Sequence, residues 1–192
     1  MIERRLESLA NPLPYTRRYS WTPISNISPH LGKAVLAAED QRFLEHDGFD
    51  WEAIRAAANW NKQHTKTGRL RGASTLSQQT AKNLFLWSGR SWLRKALEAG
   101  FTVLLELCWS KHRILEGYLN IVEFGDGIYG AEAAAQHFFG KHALQLTAQE
   151  CALLAAVLPN PRVYQVSRPS VYTRSRQAWI LRNMNRIRLP KR

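Results

Sequence analysis

The chain has 192 residues, 45% of them apolar, enough for one domain with a real core and at most a small additional lobe. Its 27 Lys and Arg against 15 Asp and Glu leave a formal net charge of +12, which favours polyanionic partners: nucleic acid, anionic lipid surfaces or phosphorylated substrates. No apolar run approaches the roughly 18 residues that span a bilayer, and Met1 to Arg18 is too polar for a signal peptide, so a soluble or surface-bound chain is expected.

In chain order, nearly all periodicity is helical and no stretch alternates apolar and polar residues over strand length, so the fold class is mainly α. Leu31, Val35, Leu36 and Phe43 fall at helical spacing, and the run breaks between His46 and Gly48. Asp50 caps a second helix, Trp51 to about Gln63. From Lys62 to Gly72, "KQHTKTGRLRG" is basic, contains glycine and lacks periodicity, and reads as a mobile loop. Thr75 with Gln78 three residues later forms a capping box that opens a helix to about Leu86. Further helices are expected over 92–109, 111–122, 131–139 and 148–158, with a Gly-rich turn at 124–130. The helix from Ala148 has Thr147 and Glu150 as its capping box, and Pro159 and Pro161 stop it. A basic helix, about 170–188, closes what reads as a single domain over 1–192. Cys108 and Cys151 sit among apolar neighbours in separate helical segments and read as core thiols, with a single disulfide as the alternative.

Two glutamates stand at apolar margins. Glu39 lies four residues after Val35 and four before Phe43, so it projects from the apolar stripe, where lost hydration raises a carboxyl pKa and suits it to proton transfer near neutrality. The same position also suits a structural glutamate paired with a buried arginine or a helix N-terminus. In "RKALEAGFTVLLELC", Leu97, Phe101, Leu104, Leu105 and Cys108 make the expected core stripe. Glu98 sits at its edge, one turn after Arg94 and three residues after Lys95, where a plain intrahelical ion pair is the simplest reading. Two acids on different helices are also what glycosyl transfer needs. In "GASTLSQQTAKNLFL", Gln78, Gln79 and Lys82 share one side, away from Leu76, Thr80 and Leu84, and with Ser74 offer a phosphate-binding face. A solvated face behind a capping motif is the plainer alternative. Arg90, Arg94 and Lys95 follow, concentrating positive charge near Glu98.

Together, "EDQRFLEHDGFD", "RGASTLSQQTAKNLFL", "RKALEAG", "KHRILEGYLNIVEFGDGIYGAEAAAQHFFGK" and "ALLAAVLPNP" closely resemble the ordered motifs of the peptidoglycan glycosyltransferases of bacterial cell-wall synthesis, over roughly residues 31–165. No transpeptidase-sized stretch follows, as in the family's monofunctional members. The resemblance implies a lysozyme-like helical domain with a smaller membrane-proximal lobe. It implies polymerisation of lipid II into glycan strands, with inversion at the anomeric carbon and release of undecaprenyl pyrophosphate. Glu39 matches the general base that takes the proton of the acceptor 4-hydroxyl. Glu98 matches the second essential acid, which assists departure of the pyrophosphate directly, through neighbouring cations or through a divalent ion (Mg or Mn). No other cofactor is implied, and no metal ligand is assigned. Ser74, Gln78, Gln79, Lys82, Arg90 and Lys95 match substrate-binding positions, and Arg55 joins them. Asp40, Phe43, His46 and Gly48 match the first motif, where they either shape the turn after Glu39 or touch substrate.

The partners implied are lipid II, the growing glycan strand, the inner-membrane surface and other cell-wall synthesis proteins, with no nucleic acid. Family members carry one membrane-spanning helix ahead of these motifs. None is seen in this chain, so the anchor is expected to precede it in the full-length protein, at the bacterial inner membrane with the catalytic domain periplasmic. Two other functions compete. A lysozyme-like hydrolase would use the acid pair but has no need of so many phosphate-binding cations. A basic nucleic-acid-binding module fits the charge and the seven tryptophans, but these are scattered rather than gathered into a basic-aromatic motif.

Overall fold

Side chains that satisfy unpaired backbone groups set where most of the helices begin. The structure, a computed structural model, describes residues 17–64, 71–87, 89 and 91–191. Its helices are α1 (Pro29–Glu39), α2 (Trp51–Gln63), α3 (Leu76–Phe85), α4 (Trp92–Cys108), α5 (Lys111–Ile121), α6 (Ala131–Phe139), α7 (Ala148–Val157) and α8 (Val171–Met184). Asp50 accepts from the Ala53 N–H at the start of α2, and Ser91, Ser110 and Ser170 cap α4, α5 and α8 in the same way. Both expected capping boxes form, Thr75 with Gln78 and Thr147 with Glu150.

Two helical groups share one apolar cluster. In the first, α1, α7 and α8 pack together; in the second, α3 lies against α4 and α5. Leu31, Leu36, Leu115, Tyr118, Leu154 and Ile180 are among the fully buried side chains that join them. A small sheet, unexpected from the sequence, lies beside this core. It runs β1 (Arg18–Tyr19), β3 (Ile128–Tyr129), β2 (Glu123–Gly125) in spatial order, with β1 parallel and β2 antiparallel to β3. Strands of two or three residues are too short to show alternation, which is why 124–130 reads only as a turn. The segment after β1 is held by the buried Asn120, whose side chain accepts from the Thr22 N–H and donates to the Thr22 carbonyl at 2.8 and 2.9 Å.

Three expectations change. The first helix ends at Glu39, with Asp40 at its C-cap, and Phe43 is buried from the turn that follows. On α4 the stripe taken as core largely faces outward. Leu97, Leu104, Leu107 and Cys108 are exposed, with Leu107 at 77%, while Glu98, Thr102 and Leu105 are buried. Of the expected stripe only Leu105 is buried, so the helical period is present but most of its apolar side faces out. Of the cysteines, Cys151 is the core thiol, burial pushing it up to about 12, and the two are unpaired. Residues 65–70 of the predicted mobile loop lie outside the described residues; at its edges Asn61 bonds both backbone groups of Arg71. Among the described residues, no helix is long and apolar enough to cross a membrane.

Gly130 joins β3 to α6 at φ 84°, and a Cβ there would lie 2.6 Å from the Asn120 carbonyl oxygen. Gly130→Ala is therefore expected to cost about 2–3 kcal/mol, through positive φ and this clash with backbone. Thermal unfolding followed by circular dichroism should show a melting temperature lower by roughly 5–10 °C.

Candidate active site

The turn after α1 is fastened to the start of α3. One Asp40 carboxylate oxygen accepts from the Leu76 N–H at 2.8 Å, and both face His46 Nε2 at 3.1 Å. Thr75 Oγ1 donates to the Gly48 carbonyl at 2.6 Å. Gly48 sits at φ 89°, and a Cβ there would meet Thr102 Cγ2 at 2.8 Å. Lys111 reaches across to the His46 carbonyl (2.6 Å) and Glu106 (2.7 Å), with its ammonium 4.7 Å from the centre of the Phe43 ring. Asp40, Phe43, His46 and Gly48 thus shape the turn that presents Glu39.

Glu39, the last residue of α1, is partly buried. Gln79 Nε2 on α3 donates to its carboxylate at 2.9 Å, and the Tyr118 hydroxyl on α5 donates to Gln79 Oε1 at 3.2 Å. The ionised carboxylate, which can only accept, draws the amide's N–H end, and the tyrosine, which can donate or accept, holds the other end. Burial raises the Glu39 pKa above its ordinary value. The Gln79 hydrogen bond and the charges of Arg176 and Lys82 pull it down, and neighbouring Asp40 pushes it up. The negative end of the α1 dipole acts in the same upward direction.

Glu98 has the opposite environment. It is 3% exposed, and its oxygens accept from Arg94 (3.1 Å) and Lys95. The ion pairs expected from spacing are present: the Arg94 pair is largely buried, where removing one partner costs more than on a surface, while the Lys95 side chain is exposed. Lys82 stands between the two acids. Burial lowers its pKa, and both Glu98 and Glu39 oppose that shift while Arg94 and Lys95 add to it. Gln79, Lys82, Arg94 and Tyr118 line one groove of about 590 Å³, with Asn83 and Trp87 beside them and Arg162 and Glu123 further along. The Arg94 Nε is a buried donor with no acceptor among the described residues.

The predicted binding residues separate. Gln79 and Lys82 line the groove, and Lys95 is engaged with Glu98. Gln78 is buried in the capping box, so α3 turns Gln79, Lys82 and Asn83 toward the groove. Ser74 is exposed, its carbonyl 3.5 Å from Gln79 Nε2. Arg55 is exposed on α2 and does not line the groove. Arg90 lies outside the described residues. Tyr118, Arg94, Asn83 and Arg162 were missed as groove residues. Arg94 had a signal, its spacing of four from Glu98; the others acquire a role only through tertiary contact. Among the described residues, no group of three or more His, Cys, Asp or Glu could hold a metal ion.

Residues 6–185 match the family model described as Transglycosylase. This chain belongs to the transglycosylase family. The transglycosylase is 57% identical over 188 residues to the "Biosynthetic peptidoglycan transglycosylase" of Yersinia pseudotuberculosis serotype O:3 (strain YPIII), which covers 97% of this chain and 77% of that protein. The same figures hold for the protein of that name from Yersinia pestis (strain Pestoides F). The transglycosylase is a glycosyltransferase with a mainly α, lysozyme-like fold. The hydrolase and nucleic-acid readings are not favoured.

A carboxylate whose folded pKa is raised weakens the fold as pH climbs from its unfolded value through its folded one, because the unfolded chain ionises first. Glu39→Gln removes that loss. The variant is expected to melt above the unsubstituted protein at pH 7–8, with the gap closing near pH 4, where both side chains are neutral. Paired thermal melts across pH check this; an equal gap at every pH would contradict the raised pKa.

Proposed function

We propose that this transglycosylase polymerises lipid II into glycan strands at the groove described, with Glu39 as general base. The observation that carries the reading is an acid kept from water behind a groove-lining neutral amide, Gln79, together with a separate cluster of cations around a second acid, of which Lys82 and Arg94 line the same groove. Glu39 takes the proton of the acceptor sugar's 4-hydroxyl as its oxygen attacks the donor's anomeric carbon from the face opposite the pyrophosphate, giving inversion. The bond from that carbon to the pyrophosphate oxygen breaks, and undecaprenyl pyrophosphate leaves with the bonding electrons. Lys82, Arg94 and Lys95 meet the charge that develops on it, and the unsatisfied Arg94 Nε is a ready donor to a phosphate oxygen. Glu98 keeps Arg94 and Lys95 in place. Ser74 and Arg90 bind substrate on the strength of the resemblance alone.

Activity at the cell envelope, against the membrane surface, belongs to the same reading. Trp92 (92% exposed), Leu93, Leu104 and Leu107 on α4, with Phe85 and Trp87 nearby, form a large apolar surface on a cationic protein. Such a surface suits the boundary between lipid headgroups and acyl chains, with cations favouring anionic lipid.

Glu39→Gln is expected to lower polymerisation by roughly 10²–10⁴-fold with the far-ultraviolet dichroism unchanged. The assay is purified lipid II in detergent, with and without magnesium, and separation of the glycan products. A folded variant that still polymerises removes Glu39 from the base role, and shortened glycan from purified cell wall would favour hydrolysis instead. Replacing Leu93 and Leu107 together by serine should leave the melting temperature near that of the unsubstituted protein and weaken co-sedimentation with anionic vesicles. Unchanged co-sedimentation would remove α4 from the docking face.

A further inference from the structure

The C-terminal helix touches the catalytic helix at its most sensitive point. The last-turn carbonyls of α1 are taken up one by one: Leu36 by the Asp40 N–H (2.9 Å), Ala37 by Gln41 Nε2 (3.1 Å) and Ala38 by Arg176 Nη2 (2.9 Å). Two of those donors are local. The third comes from α8 and is the one that carries charge. Arg176 is itself held, its guanidinium 4.4 Å from the centre of the Trp179 ring, one turn along the same helix. A cation at a helix C-terminus is favourable, and Ala38 directly precedes Glu39.

We propose that Arg176 is a positioning residue for Glu39, clamping the end of α1 and supplying the positive charge that keeps the carboxylate ionised. This rests on the reading of Glu39 as the base. The groups that face Glu39 from its surroundings are few. Asp40 adjoins it, α3 supplies Gln79 and Lys82, α5 supplies the Tyr118 hydroxyl, and α8 supplies Arg176. From α7, which also packs on α1, the titratable groups are engaged elsewhere, Glu150 with Lys141 and Cys151 with the Leu146 carbonyl. Asp40 opposes ionisation, so Arg176 and Lys82 are the charges that favour it. Lys82 also faces Glu98. The division of labour follows: Lys82 faces the leaving group, and Arg176 serves the base from behind.

Loss of the guanidinium favours the protonated acid. In Arg176→Gln the acidic limb of the kcat/KM profile with lipid II should therefore move to higher pH, giving a loss of about threefold to tenfold below the limb and little loss on the plateau. Arg176→Lys, which keeps the charge, should leave the limb close to its original pH. A carboxyl-carbon NMR titration, with the Glu39 resonance identified by its absence in Glu39→Gln, should show the same upward displacement in Arg176→Gln without reference to turnover. If Arg176→Gln does not fold, Arg176→Met takes its place under the same criteria. An unmoved limb and an unmoved resonance, or a uniform loss at every pH, would overturn the positioning role. Polymerisation that survives Glu39→Gln would overturn instead the base assignment beneath it.

Discussion

Everything at the groove depends on holding one carboxylate away from water without binding it to a cation. The hydrogen bond to Glu39 comes from the Gln79 amide, a neutral donor that steadies the ionised form without neutralising it. A direct guanidinium partner would depress the pKa and leave a poor base, and no partner would leave the acid protonated. The Tyr118 hydroxyl holds the other end of the amide from a fully buried position. Three helices are needed for this one interaction, which places the site where the two helical groups of the core meet.

The two acids illustrate how environment rather than residue type divides chemical work. Glu98 is deeper than Glu39 yet surrounded by donors, and its two oxygens hold Arg94 and Lys95. Beside the groove the order is Glu39 behind Gln79, then Lys82, then Arg94 with Glu98, and of these Gln79, Lys82 and Arg94 line it. The loop between α1 and α2 sustains this order from outside the groove. Asp40 spends both oxygens on the loop and the start of α3, so the base and the α3 residues that meet it move as one body.

Local signals carried much of this into the sequence. Capping boxes, an Asp cap and paired prolines act through neighbours in the chain, so the bounds of α2, α3 and α7 could be read to within a residue. Glu39, Gln79, Lys82 and Lys95 were legible for the same reason, as parts of short motifs. Gln78 spends its side-chain oxygen on the capping box, a use that becomes visible only once the cap is known to form. Arg55 was assigned by resemblance and stands apart from the groove. The role of Arg176 had no local signal, since it arises across 138 positions of chain. The face of α4 was misread because periodicity reports that two sides of a helix differ, not which side meets solvent.

That last feature has a thermodynamic consequence. On most helices apolar side chains leave water during folding, each contributing about 1.5–3 kcal/mol. On α4, Trp92, Leu93, Leu104 and Leu107 complete the fold still hydrated. They add nothing to the stability of the fold in water, and whatever covered them would raise its resistance to heat.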